Sequence, residues 1–175
     1  MFQVVTGGSG SGKSAYAEEQ ILSMGKARRI YIATMFPFDQ ESFARIERHR
    51  VMRAEKQFDT IECYTGLKEI IIPEHANVLL ECMSNLTANE MFQESGAKEN
   101  TVLAICEGIQ ALLRQADNLV VVTNEIFSDG IVYEQETRTY QNYLGAMNQY
   151  MAGIADTVTE VVYGIPLTIK SGRNV

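Results

Sequence analysis

Eight residues near the start of the chain, Gly7-Gly8-Ser9-Gly10-Ser11-Gly12-Lys13-Ser14, constrain the fold more than any other feature. They fit G-x-x-x-x-G-K-[ST] without a mismatch and follow directly on the apolar run 2–6. Glycines let a backbone curl until successive N–H groups point inward. A helix beginning near Lys13 brings the positive end of its dipole to the same place. The natural occupant is a phosphate. Lys13 then offers a point charge to the β- and γ-phosphates, and Ser14 a hydroxyl ligand for Mg²⁺. The alternative is a flexible Gly/Ser turn that matches by chance, and the strand-before, helix-after context argues against it. The pattern predicts a phosphate-binding loop (P-loop) and a nucleoside triphosphate as its ligand.

The rest of the chain supplies a matching scaffold. Short apolar runs predict strands at 2–6, 29–34, 77–82, 118–123 and 157–165, with a last strand at 167–170. Between them, helical spacing predicts helices over 13–24, 40–55, 99–115 and 134–155. Strands alternating with helices predict an α/β fold with a mainly parallel central sheet. Right-handed crossovers then put helices on both of its faces. A length of 175 residues suits one domain over 1–175 with a core large enough to need no disulfide. The segment 94–100 reads either as a mobile loop or as a simple connection into the next helix.

Charge limits the partners. The net charge is −7, whereas nucleic-acid binding needs a positive footprint. No apolar run approaches the roughly 20 residues that span a bilayer, and no signal segment precedes the phosphate loop. The expectation is a cytoplasmic protein with no membrane span and no nucleic-acid partner. Cys63, Cys82 and Cys106 are odd in number and widely spaced, so they read as free structural thiols. His75 reads as a loop residue ahead of a strand.

An acidic protein that binds a polyanion must gather its positive charge locally. The helix over 40–55 does so with Arg45, Arg48, Arg50 and Arg53 around His49. Arg45, His49 and Arg53 are spaced to share one face. Arginines can clamp phosphates by paired hydrogen bonds, and neutral histidine is a nucleophile near pH 7. A solvated charged face with an incidental histidine is the competing reading. Ligands in open α/β sheets sit beyond the carboxyl ends of the strands, and two acids fall there. Glu81 is placed to hold Mg²⁺, and Glu125 to bind metal or position a hydroxyl, unless each simply caps a turn. A switch GTPase is disfavoured, because there is no N-K-x-D and no D-x-x-G.

Taken in order, the phosphate loop, YIAT at 31–34, R-I-x-x-H-R at 45–50, LLEC at 79–82, TNE at 123–125, GIV-x-E at 130–134 and LG-x-x-NQ at 144–149 resemble one family. It is the bifunctional adenosylcobinamide kinase/adenosylcobinamide-phosphate guanylyltransferase family, and the resemblance covers roughly 2–170. It implies a RecA-like P-loop fold and two reactions of cobalamin biosynthesis. The first phosphorylates adenosylcobinamide from ATP or GTP. The second transfers GMP from GTP to adenosylcobinamide phosphate. The resemblance also implies His49 as the guanylylated residue, Glu81 as the metal-associated acid, and a homo-oligomer, commonly a trimer. Two departures bear on the first reaction. Gly10 stands where the family often has arginine, and the segment 125–134 is one residue longer, with Tyr133 in place of proline. A P-loop kinase of another small metabolite, without a covalent nucleotide, remains the alternative enzyme. A nucleotide-binding regulatory protein without turnover is the non-enzymatic one.

Overall fold

The computed structural model describes residues 1–38, 40–128, 130–131 and 133–172; within 40–55 it describes the backbone, but not the side chains of residues 41, 42, 44, 45, 48, 49 and 52. The described chain runs β1 (Phe2–Thr6), α1 (Lys13–Ser23), β2 (Arg28–Ala33), α2 (Gln40–Glu55), β3 (Phe58–Glu62), a 3₁₀ turn (Leu67–Glu69) and β4 (Ala76–Glu81). It continues with α3 (Met83–Phe92), a second 3₁₀ turn (Lys98–Asn100), α4 (Thr101–Gln115), β5 (Asn118–Val122), α5 (Gln135–Ile154), β6 (Thr157–Val162) and β7 (Ile165–Ser171). The strands form one sheet in the order β3-β2-β4-β5-β1-β6-β7. Every pairing is parallel except β6 with β7.

Alternation along the strands explains the two layers of core. Val4, Ile30, Ile32, Val78, Leu80, Leu119 and Val121 face one side, where Ile105, Ile109 and Leu112 of α4 and Leu144, Met147 and Met151 of α5 cover them. Val5, Tyr31, Leu79, Val120 and Val122 face the other, against Ala17 and Ile21 of α1. Both faces are buried, so the central strands read as continuous apolar runs.

Two elements escape the sequence reading. β3 adds an outer parallel strand beside β2, and α3 follows directly on β4. The two predicted terminal strands, 157–165 and 167–170, are β6 and β7, but the first ends at Val162, because the chain turns back at Tyr163 and Gly164. The segment 94–100 is the simple connection of the two readings. The buried Glu90 carboxylate takes hydrogen bonds from Gly66 N at 2.7 Å and Ala97 N at 2.9 Å, and so ties that connection to the turn at Gly66.

Candidate active site

β1 ends in the middle of the sheet, and the chain leaves it through residues 7–12 before α1 begins at Lys13. Gly7, with φ 151°, lets the loop pass under β6. A Cβ there would stand 2.5 Å from Val161 O and 2.7 Å from Ser11 Oγ. Gly12 caps α1 in the left-handed region, at φ 92°, and no side chain caps the helix or places an acid in its first turn. The first N–H groups of α1 therefore keep their capacity for an anion. Lys13 Nζ arches back to Gly8 O at 3.0 Å, which holds its charge across the loop. Ser11 Oγ is buried without a hydrogen-bond partner among the described residues, as a polar atom lining an anion cradle would be. A Cβ on Gly8 or Gly10 would meet nothing, so the outer rim of the loop, which also carries Ser9, is open.

A polar cluster stands beside the loop at the end of β4. One oxygen of Glu81 accepts a short hydrogen bond from Ser14 Oγ. The other accepts from Tyr31 Oη at 2.9 Å. Arg53 of α2 lies over the Tyr31 ring, 3.9 Å from its centroid, and is only 4% exposed. Burial and the Glu81 carboxylate push the Tyr31 phenol far above its usual range, so it stays a proton donor to that carboxylate. Thr34 Oγ1 donates to Glu81 O and accepts from Cys82 N at 2.8 Å, and so fixes the end of β4 against β2. Tyr31, Thr34, Ile46, Arg53, Tyr64 and Glu81 line a pocket. It opens beyond the carboxyl ends of β2 and β4, where an open α/β sheet places its ligands.

The sequence-derived candidates separate on this geometry. Lys13, Ser14 and Glu81 come together with the loop, and Arg53 reaches from α2 into the pocket that Tyr31 and Glu81 line. Arg50 stays on the surface, paired with Glu62 and with Glu47 at 3.4 Å. The side chains of Arg45, Arg48 and His49 lie outside the described residues. Glu125 enters the site through its backbone, its N–H donating to Gly7 O at 3.2 Å. Its carboxylate caps the following turn, accepting from Phe127 N at 2.9 Å and Ser128 Oγ at 2.8 Å. Cys63, Cys82 and Cys106 are free thiols. His75 sits in the turn before β4, 3.5 Å from Asp117.

Tyr31 is the residue that sequence reasoning missed. Its signal was a phenol in an otherwise aliphatic buried strand, because a buried tyrosine hydroxyl requires a partner. Asn89 was missed as well. It is buried on α3 and donates from Nδ2 to Thr34 O at 2.8 Å, where it braces the segment that leaves β2.

Comparison with known proteins finds relatives that match the sequence over nearly the whole chain. Residues 3–169 match the family model described as CobU, cobinamide kinase / cobinamide phosphate guanyltransferase. The chain is 37% identical, over 97% of its length and all of the relative's, to the bifunctional adenosylcobalamin biosynthesis protein CobU of Escherichia coli (strain K12). It is 36% identical, over the same shares, to the protein of that description from Salmonella typhimurium (strain LT2). A solved ATPase from the type III secretion system of pathogenic bacteria superposes with a TM-score of 0.52 at 8% identity, covering 95% of this chain and 56% of that one. That last likeness concerns the fold alone, a P-loop NTPase sheet with helices on both faces. By its match from Gln3 to Ile169 and its full-length relatives, the chain belongs to the cobinamide kinase / cobinamide phosphate guanyltransferase family.

Proposed function

We propose that the chain is one catalytic domain that phosphorylates the hydroxyl arm of adenosylcobinamide, with ATP or GTP as donor, and then transfers GMP from GTP to the resulting phosphate. The observation that carries this reading is a complete phosphate loop, with Ser14 hydrogen-bonded to Glu81, in a chain that matches the family over 3–169. In the kinase step residues 7–12 and the first turn of α1 bind the triphosphate through backbone N–H groups. Lys13 neutralises charge as the acceptor oxygen bonds to the γ-phosphorus, its proton passes to solvent and the bond to the leaving nucleoside diphosphate breaks.

In the second step a nitrogen of His49 attacks the α-phosphorus of GTP, and pyrophosphate leaves. The cobinamide phosphate oxygen then attacks the same phosphorus, the P–N bond breaks and the imidazole is regenerated. The placement of α2 supports this role. Residues three and four apart share a helix face, and Ile46 and Arg53, which flank position 49 at those spacings, both line the pocket. Arg53 is positioned to favour negative charge there, and Arg45, Arg48 and Arg50 are carried on the same helix.

The Ser14 hydroxyl and Glu81 carboxylate are the residues that would hold Mg²⁺. A hydroxyl and a carboxylate that already meet form a hard-oxygen set of the kind Mg²⁺ accepts while keeping most of its water. When bound, the ion supplies charge neutralisation at the phosphates. The carboxylate oxygen of Glu125 that does not cap the turn is a further candidate metal ligand. The reading includes a cytoplasmic homo-oligomer, a trimer by resemblance. Among the described residues no helix is long and apolar enough to cross a membrane.

The deciding experiment incubates the protein with Mg²⁺ and GTP labelled at the α-phosphate, with γ-labelled GTP and His49→Ala alongside. Acid-labile α-label, absent with γ-label and lost in the variant, is the expected result. A folded, GTP-binding protein that takes up no label would remove the covalent step and leave a P-loop kinase.

A further inference from the structure

Beyond β6 the chain reverses in two residues, Tyr163 and Gly164, and Val162 pairs with Ile165 across the turn. Both have positive φ, 51° at Tyr163 and 79° at Gly164, the pattern of a type I′ hairpin. Asn, Asp or Gly usually fills the first position, because bulky side chains are strained there. This chain places a tyrosine there and leaves it 94% exposed, so burial does not offset the strain. Backbone strain held in place by its surroundings concentrates at functional sites.

The turn also rests on the phosphate loop. Gly164 N–H donates to Ser11 O at 2.8 Å. Gly164 Cα lies 3.3 Å from where a Cβ on Gly12 would stand. Strand order then gives the loop two sides. Glu81 ends β4, on the β5 side of β1, and Tyr163 follows β6, on the opposite side. In the kinase step, a donor whose terminal phosphate is directed at Ser14 and Glu81 has the side of the loop toward β6 and this turn left for its nucleoside.

We infer that Tyr163 is a stacking platform for the base of the phosphoryl donor that residues 7–14 hold in the kinase step. The inference rests on the reading of that loop as a nucleotide site and is independent of the acceptor. Every purine offers a π-face, so the contact adds affinity for GTP and ATP alike rather than discriminating between them. The expected size is about tenfold or somewhat more in Kd, the strength of one aromatic–base stack.

The chain has no tryptophan, so Tyr163→Trp installs a single fluorophore at the turn. GTP, ATP and inorganic tripolyphosphate are titrated into it, and calorimetry follows the same ligands on wild type, Tyr163→Ala and Tyr163→Asn. Both nucleotides should quench the tryptophan, whereas tripolyphosphate should bind without quenching. Tyr163→Ala and Tyr163→Asn should raise Kd for both nucleotides about tenfold and leave tripolyphosphate unchanged. Tyr163→Asn should also raise Tm, because asparagine accepts positive φ. Undiminished GTP affinity in Tyr163→Ala overturns the inference. So does an equal loss of GTP and tripolyphosphate, which would mean that the turn only braces the loop. A fall in oligomeric mass at unchanged GTP affinity would assign the side chain to a subunit contact instead, again overturning it. Wild-type protein that binds neither tripolyphosphate nor nucleotide would defeat the loop reading itself, and the stacking role with it.

Discussion

Glu81 receives hydrogen bonds at both of its oxygens, and that divides the labour between its partners. Ser14 belongs to the phosphate loop, whereas Tyr31 belongs to the scaffold. Glu81→Gln keeps the size of the side chain and removes its charge, so the fold should persist while phosphoryl transfer falls about a hundredfold or more. Circular dichroism and an assay of nucleoside diphosphate formed with adenosylcobinamide as acceptor check the two halves separately. Tyr31→Phe should keep the ring under Arg53 and cost about 1 kcal/mol for the lost hydrogen bond, read from urea midpoints. The glycines of the loop should not be equivalent. Gly10→Ala meets open space and pays only for positive φ, about 1–2 kcal/mol. Gly7→Ala pays that and also drives a methyl to 2.5 Å from Val161 O, so its Tm should fall well below that of Gly10→Ala. Burial pushes the Cys63 thiol up to about 12 from 9.0, and raises Tyr31 in the same direction. Above pH 9 the unfolded thiol loses its proton while the folded one keeps it. The stability this contributes is complete below pH 9 and is lost as pH rises toward 12. Urea midpoints should therefore decline steadily through that alkaline range.

At the level of elements, legibility followed the strength of the apolar signal. β4 and β5 are buried on both faces, so their uninterrupted Val and Leu runs announced them. α4 carries Ile105, Ile109 and Leu112 at helical spacing and was equally plain. α3 was not, because the side it buries is largely polar: Ser84, Thr87, Asn89 and Glu90 are all buried there. Those groups brace the site, with Asn89 holding Thr34 and Glu90 holding two loops, so a function of the fold hid a helix from a pattern that counts apolar residues. β3 was missed because an outer strand buries little; only Phe58 of Phe58–Glu62 is fully covered. The loop, Glu81 and the arginine-bearing helix were legible from local chemistry, but the meeting of Tyr31 with Arg53 depends on a packing angle that no spacing encodes. Packing is tight where α4 meets the turn at Leu67. A Cβ on Gly108 would lie 2.7 Å from that of Leu67. Gly108→Ala should destabilise by about 1–3 kcal/mol despite the better helix propensity of alanine, with the melting curve as the check.

Across the whole molecule, the positive charge is local while the total is −7. Binding should be driven by the loop and by Arg53, not by long-range attraction of a polyanion. Saturating nucleotide should stabilise the fold by mass action. A concentration a hundred times Kd contributes about 2.7 kcal/mol, and thermal melts should rise by several degrees with GTP. The rise should vanish in Lys13→Ala.

β1, made before every other strand described, is flanked by β5 and β6, and its loop is held from one side by the turn at Gly164. During synthesis the phosphate loop therefore emerges from the ribosome long before the strands that shape it. A nascent chain halted before β6 has cleared the exit tunnel carries the sequence of a nucleotide site without its geometry. GTP should not protect such a chain from proteolysis, and protection should appear abruptly once the hairpin at Tyr163 is free to close.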